Sequence, residues 1–485
     1  MASKSLPPCI VWFRDDLRLS DHYALHAASN TGAPTICLYV LDEVSGAPNA
    51  RPLGGAARWW LAQSLQALQK SLHSIGAALV LRKGPTARII AELARETNAE
   101  AVFWNDMAQA PHRAIADQTA AALKEIGVTS HSFPGDLLVA PAEIRNKENR
   151  GLRVFTPFWR RVQALGEPRT PVPAPKRLRP GPNLASDSIG GWGLEPKQPD
   201  WAGGLRDMWT PGEISAHALL GAFLEGGVAG YAIGRDRPDR NATSRLSPHL
   251  RFGEISPRQV WHAARFAAAG RHGLADGIDK FLSELGWREF CRHLLFDVPD
   301  LATRNLQGAF NAFPWRHNDK ALQAWQRGLT GYPIVDAGMR ELWHTGVMHN
   351  RVRMVAASFL VKHLLIDWRE GEKWFWDTLV DADPGSNPAN WQWVAGCGAD
   401  AAPYFRVFNP ILQGAKFDPD GVYVRRWVPE LAQLPTGVIH QPWSARPLEL
   451  ASAGVELGKT YPKPLVDHRR GRERALAAYA KVRSA

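Results

Sequence analysis

Sulfur is scarce in this chain. Its four cysteines, Cys9, Cys37, Cys291 and Cys397, stand far apart in 485 residues, and no two form a C-x-x-C pair. That spacing argues against a metal site, an iron–sulfur cluster or a disulfide framework, and in favour of core thiols in a reducing compartment. No apolar run reaches the roughly 18 residues that a bilayer requires, so no membrane span is expected. The opening Met1–Pro8 carries no apolar signal core, which predicts a cytoplasmic protein. No G-x-G-x-x-G follows the first predicted strand, so the usual dinucleotide fingerprint is missing. Internal repeats and low-complexity tails are absent too.

Tryptophan is abundant. There are 20, and 14 of them lie after residue 200. Indoles fill cores, but they also stack on bases and carry an electron as a radical. Formal net charge is +11, which biases a protein toward polyanions, nucleic acid first among them. Hydrophobic content of 45% and charged content of 22% are ordinary for a folded chain, and the length implies two domains, three at most.

The first third alternates short apolar runs with amphipathic helical patterns. Cys9–Phe13, Thr35–Val40, Ala78–Arg82 and Ala101–Trp104 read as buried strands. Leu61, Leu65, Leu68 and Leu72 line one helical face that stops near Gly76, and a second helix runs from about His112 to Gly127. Alternation of this kind predicts an open parallel sheet, Rossmann-like, with helices on both faces. Between Gly166 and Gly204 prolines and glycines crowd together, as an extended linker would require. Beyond it the chain reads as helical, with Ile214–Leu224, Asp279–Phe296 and Val347–Ile366 the best examples. The expected division is an α/β domain over 1–132, a linker over 133–205 and an all-α domain over 206–485.

Several segments carry chemistry. On Asp279–Phe296, Phe281, Glu284, Leu285 and Arg288 share a face with Trp287 beside them. The simplest reading of Glu284 and Arg288, four apart, is a surface ion pair, although the neighbouring aromatics argue against a wet surface. Asn350, Arg353 and Met354 project together from an otherwise apolar helix that also bears Arg351, and buried guanidinium groups there need partners. The turn-rich loop Asp381–Pro388 offers Asp381 and Asp383, and Arg353 is a more plausible partner for an acid there than a metal is. Trp391 and Trp393, then Pro403–Arg406, interleave aromatics with arginine in a way that suits a flipped or single-stranded nucleotide as well as a packed core. In Thr243–Pro248, Ser247 is a good N-cap and Pro248 a good first helical residue, so hydroxyls and a helix start together suggest a diphosphate site; a plain capped helix is the alternative.

Taken in order, these segments resemble the photolyase/cryptochrome family. Trp12–Asp21 is similar to its opening signature. Tyr231 with Arg235–Pro238, then Thr243–Phe252, resemble its flavin diphosphate segment, and Trp287–Phe290 and Asp381–Trp393 match its most specific blocks. The resemblance runs from about Ile10 to the last helix. It implies FAD folded within the helical domain, with Tyr231, Thr243, Ser244, Arg245, Leu246 and Ser247 on the phosphates. Phe281 stands where relatives often have tryptophan. Arg288, Asn350 and Arg353 would surround the flavin, Asp381 would pair with Arg353, Asp383 would face the flavin and ribose, and Asn387 would meet N5. Trp391, Trp368 and Trp315 match the family's electron-transfer chain. Glu284, Trp287, Asn350, Met354 and Trp393 match its lesion contacts, and Arg235, Arg351 and Arg406 would bind DNA phosphates.

The activity so implied is light-driven electron donation from reduced flavin to a flipped cyclobutane pyrimidine dimer in UV-damaged DNA, by a monomer. Asn350 and Met354 occupy positions where animal-type (6-4) photolyases use histidines, which favours the cyclobutane dimer. Asn387, and a basic last helix after Tyr461–Pro464 with no long tail, favour repair over cryptochrome signalling. Leu53–Trp60 resembles a bacterial subgroup whose sheet domain holds an antenna, methenyltetrahydrofolate in preference to hydroxy-deazaflavin.

Overall fold

The computed structural model describes residues 6–47, 49–401 and 405–484. Pro403 and Tyr404, from the predicted aromatic–arginine segment, lie outside them. The chain divides into two compact units that interleave along the sequence: 1–202, 209–229 and 244–300 form one, and 203–208, 230–243 and 301–485 the other.

In the first unit five parallel strands, β1 (Cys9–Phe13), β2 (Thr35–Leu41), β3 (Leu79–Lys83), β4 (Ala101–Asn105) and β5 (Thr129–Phe133), lie in the order β3-β2-β1-β4-β5. Trp12 is in register with Leu38 on one side and Trp104 on the other. The helices between the strands are α1 (Tyr23–Asn30), α2 (Gly55–Ser74), α3 (Thr86–Thr97) and α4 (Ala110–Glu125). Ile10, Trp12, Leu38, Val102 and Trp104 pack with Ile90 and Leu93 of α3 and Leu123 of α4. Every residue of β1 and β2 is buried, as expected of strands covered on both faces. β5 was not expected. Its sequence, Thr-Ser-His-Ser-Phe, is polar and almost wholly exposed, because it is an edge strand with little apolar surface to hide.

The proline-rich stretch is not a free tether. Thr35 N donates to Arg179 O, Leu178 N to Ile75 O and Asp187 N to Leu81 O, so it runs pinned along the sheet unit. Further back, Leu138 N donates to the Glu289 carboxylate and His293 lies 3.1 Å from Val139 O. These bonds anchor the long helix Ala275–Asp297 in the same unit.

The second unit is helical. Pro333–Thr345, Asn350–Ser358, Trp368–Thr378, Ser386–Ala395 and the final helix His468–Ser484 surround a core containing Trp325, Phe359, Trp368, Trp376 and Trp391. The predicted helix over Val347–Ile366 begins at Asn350 and widens into a π turn at Phe359–His363. His349 supplies the cap, its Nδ1 accepting from Arg351 N. No helix among the described residues is long and apolar enough to cross a membrane.

Candidate functional site

In the first unit, helix Ala275–Asp297 aligns Phe281, Glu284, Leu285 and Arg288 as its periodicity requires. Phe281 is buried, its ring 4.8 Å from that of Phe223. Glu284 meets Lys280 one turn back, at 2.8 Å, and Arg288 donates to Asp136 O at 2.9 Å and to Glu289 at 3.2 Å. Burial pushes the Glu289 carboxyl up to about 7, against the pull of Arg288. Trp287 lies flat on Phe155, with ring centroids 3.8 Å apart and planes 8° apart. Gly286 beside it is obligatory, since a Cβ there would strike the Trp159 ring. One face of the Trp287 indole is thus backed by an aromatic shelf.

The diphosphate segment needs one correction. Leu246, not Ser247, is the cap residue, and the helix that follows is only Ser247–Arg251. So short a helix has little dipole, and an anion at this segment would depend on hydroxyls, backbone N–H groups and Arg245. Arg245 adopts φ +55° and places its guanidinium 4.6 Å from the Trp209 ring centroid. Ser247 is exposed and Ser244 half-buried, while Leu246 is buried.

In the second unit Arg353 Nη2 reaches both oxygens of Asp381, at 2.9 and 3.1 Å, while its Nε donates to Met348 O. Asp383 accepts from Gly385 N and Ser386 N and so fixes the start of helix Ser386–Ala395. Asn387, one residue on, is 8% exposed. Its Nδ2 donates to both the backbone carbonyl and the carboxylate of Glu372, at 3.1 and 2.8 Å. The amide therefore keeps its oxygen as a hydrogen-bond acceptor. Asn350 is exposed, Met354 half-buried and Thr243 exposed. Tyr231 is buried, 5.8 Å from the Arg235 guanidinium.

Among the indoles, Trp391 is buried edge-on to Phe375 and Trp325, Trp368 is fully buried with Nε1 on Asn305, and Trp315 is half-buried on the same core, 4.3 Å from Phe313. Trp393 donates Nε1 to Asp400 O. Arg351 is already engaged: it pairs with Asp236 at 2.7 Å and lies over Phe417. Arg406 is exposed. Three supporting residues escaped the sequence reading. Phe155 lies far along the chain from Trp287, and Glu372 lies 15 residues before Asn387 with no periodicity to connect them. Lys280, one helical turn before Glu284, was legible from i,i+4 spacing.

Comparison with known proteins shows which family combines a parallel-sheet unit with a helical unit of this kind. Residues 9–176 match the model of DNA photolyase and residues 281–481 that of the FAD binding domain of DNA photolyase. A deoxyribodipyrimidine photo-lyase from Agrobacterium fabrum is 54% identical over 98% of both chains. Cryptochrome-1 from Arabidopsis thaliana is 39% identical over 94% of this chain and 68% of its own. The crystal structure of a bacterial class III photolyase from Agrobacterium tumefaciens superposes with a TM-score of 0.95 at 53% identity, covering 100% of both chains. The chain belongs to the photolyase/cryptochrome family.

The residues fit the FAD that this family's domain binds. The hydroxyls of Thr243 and Ser244 make no hydrogen bond among the described residues and remain available to a diphosphate. The Arg353–Asp381 pair and the Asn387 oxygen offer a fixed charge pair and an acceptor to a polar planar ring.

Proposed function

We propose that this chain is a light-driven DNA repair enzyme, a deoxyribodipyrimidine photo-lyase that splits cyclobutane pyrimidine dimers in UV-damaged DNA. Within the family, the observation that carries repair rather than sensing is the Asn387 amide, whose nitrogen is held by Glu372 and whose oxygen is left to accept. An acceptor there suits a protonated ring nitrogen of fully reduced flavin. FAD, when bound, supplies the light-driven electron that opens the dimer.

The chain's own residues bind and orient. Tyr231, Thr243, Ser244, Arg245, Leu246 and Ser247 would hold the diphosphate. Phe281, Arg288, Asn350, Arg353, Asp381 and Asp383 would enclose the flavin and ribose. Glu284 would hydrogen-bond a pyrimidine edge and steady the charge that develops on the opening ring. Trp287, stiffened by Phe155, and Trp393, tied to Asp400, would stack on the flipped bases, with Asn350 and Met354 beside them. Arg235, Arg351 and Arg406 would meet phosphates. Trp315, Trp368 and Trp391 would carry an electron inward from the protein surface. The form proposed to act is a monomer in the cytoplasm.

An antenna fits the carboxyl ends of β1 and β4, where the strand order reverses. Gln109, the N-cap residue of α4 just after β4, is 3% exposed, and among the described residues neither its amide nitrogen nor its oxygen has a hydrogen-bond partner. Arg14, just after β1, donates Nη2 to His112 O, while its Nε and Nη1 have no hydrogen-bond partner among the described residues. Methenyltetrahydrofolate, with its amides and carboxylates, matches such a set better than hydroxy-deazaflavin does.

Repair of two oligonucleotides by reduced, FAD-loaded enzyme under blue light tests the reading. Restoration of a cyclobutane thymine dimer alone is expected. Restoration of a (6-4) photoproduct alone would reassign the lesion, and restoration of neither would favour a cryptochrome-type photoreceptor.

A further inference from the structure

A buried ammonium needs a reason to exist. Lys362 lies in the π turn Phe359–His363, inside the helical core, and is 3% exposed. Among the described residues no carboxylate pairs with it. Its Nζ donates to the backbone carbonyl of Arg406 and sits 4.2 Å from the centroid of the Phe405 ring. Burial, reinforced by the charge of Arg406, pushes its pKa down to about 7. A methionine would fill similar space without the desolvation penalty. What the amine adds is a tie between the core and one short segment of backbone.

That segment carries Arg406, one of the residues assigned to DNA. Phe405 stacks on Tyr479 of the final helix, centroids 4.5 Å apart and planes 7° apart. Lys362, Trp393, Phe405, Arg406 and Tyr479 line one small cavity. Arg406 follows Phe405 directly, and its side chain is exposed while its carbonyl is held from within.

We propose that Lys362 is a positioning residue for DNA binding: by tying the Arg406 carbonyl and seating Phe405 against Tyr479, it fixes where the Arg406 guanidinium meets a phosphate. The proposal rests on the photolyase reading, in which Arg406 is a phosphate contact. Lys362 is too deep to reach a phosphate itself, and this separates the proposal from ordinary surface charge.

The test is the salt dependence of affinity of FAD-loaded enzyme for an oligonucleotide bearing a cyclobutane dimer, with K362M, K362R and R406A alongside wild type. One phosphate contact contributes about 0.9 to the slope of log affinity against log salt. K362M is expected to flatten the slope by about that amount and to weaken binding roughly tenfold at low salt, while repair per absorbed photon at saturating DNA stays at the wild-type value. K362R, which keeps a cationic donor, should restore the slope. If R406A flattens the slope and K362M does not, the proposal is overturned and the phosphate role of Arg406 stands. If neither flattens it, the phosphate role falls and takes the proposal with it. Should K362M fail to retain FAD, F405L removes only the ring beneath the ammonium. It is expected to flatten the slope in the same direction, and an unchanged slope would overturn the tie.

Discussion

Glu284 meets Lys280 one turn back at 2.8 Å, and the exposure of that pair is informative about what the carboxylate can do. Its partner Lys280 is half-exposed, as is Glu284 itself, and such pairs contribute little to stability. Exchanging Lys280 for a pyrimidine edge therefore costs little. Replacing Glu284 with alanine should leave FAD content unchanged and lower repair per photon about tenfold, the scale of one lost hydrogen bond to a charged group. Quantum-yield measurement on reduced enzyme decides it, and equal yields would remove Glu284 from the lesion. Glu289, five residues on, behaves in the opposite way. Its folded pKa, about 7, lies above the ordinary 4.5, so between those values the folded chain keeps a proton that the unfolded chain releases. The stability it contributes is present below pH 4.5 and lost as pH rises through 7. E289Q should flatten this dependence by up to about 1.4 kcal/mol per pH unit within the window. Denaturant midpoints at pH 5 and pH 7.5 would show it, and parallel profiles for the two proteins would refute the shift.

At the scale of elements, the helix Ser386–Ala395 concentrates unlike tasks: Asp383 and Asn387 at its start, Trp391 and Trp393 toward its end. Trp391 points into the core, where a Cβ on Gly371 would collide with its ring. W391F keeps an aromatic in that space but removes the indole. It should abolish photoreduction of the oxidised enzyme and spare repair by chemically reduced enzyme, as followed by flavin absorbance under illumination; normal photoreduction would take Trp391 out of the chain. The same elements show what the sequence could disclose. β1 was legible to the residue because burial on both faces demands an unbroken apolar run, and β5 was not because exposure makes no such demand. The Phe281–Glu284–Arg288 face followed from helical spacing. Which partner each side chain would choose did not, since Asp136 lies 152 positions before Arg288 and Phe155 is also remote from Trp287. The Ser247 cap failed for a local reason: its neighbour Leu246 already holds a helical conformation, so the turn begins one residue earlier.

At the scale of the whole molecule, the net charge of +11 draws DNA in without saying where it sits, and the salt dependence of binding separates the diffuse attraction from the fixed contacts. Three phosphates, met by Arg235, Arg351 and Arg406, would give a slope near −2.7, taking about 0.9 for each. Arg351 complicates this count, because in the free protein it already faces Asp236 at 2.7 Å. A phosphate must displace that carboxylate before it gains the guanidinium, and if Asp236 keeps its hold the slope falls to about −1.8. D236N removes the competitor while preserving size. It should tighten binding of dimer-containing DNA up to about fivefold, the range of a half-exposed ion pair, and steepen the slope toward −2.7. Repair at saturating DNA should not change, because the substitution alters capture and leaves the groups proposed to face the lesion intact. Weaker binding in D236N would instead mean that Asp236 orients Arg351 toward the phosphate, so that the carboxylate belongs to the DNA surface as a support and not as a rival.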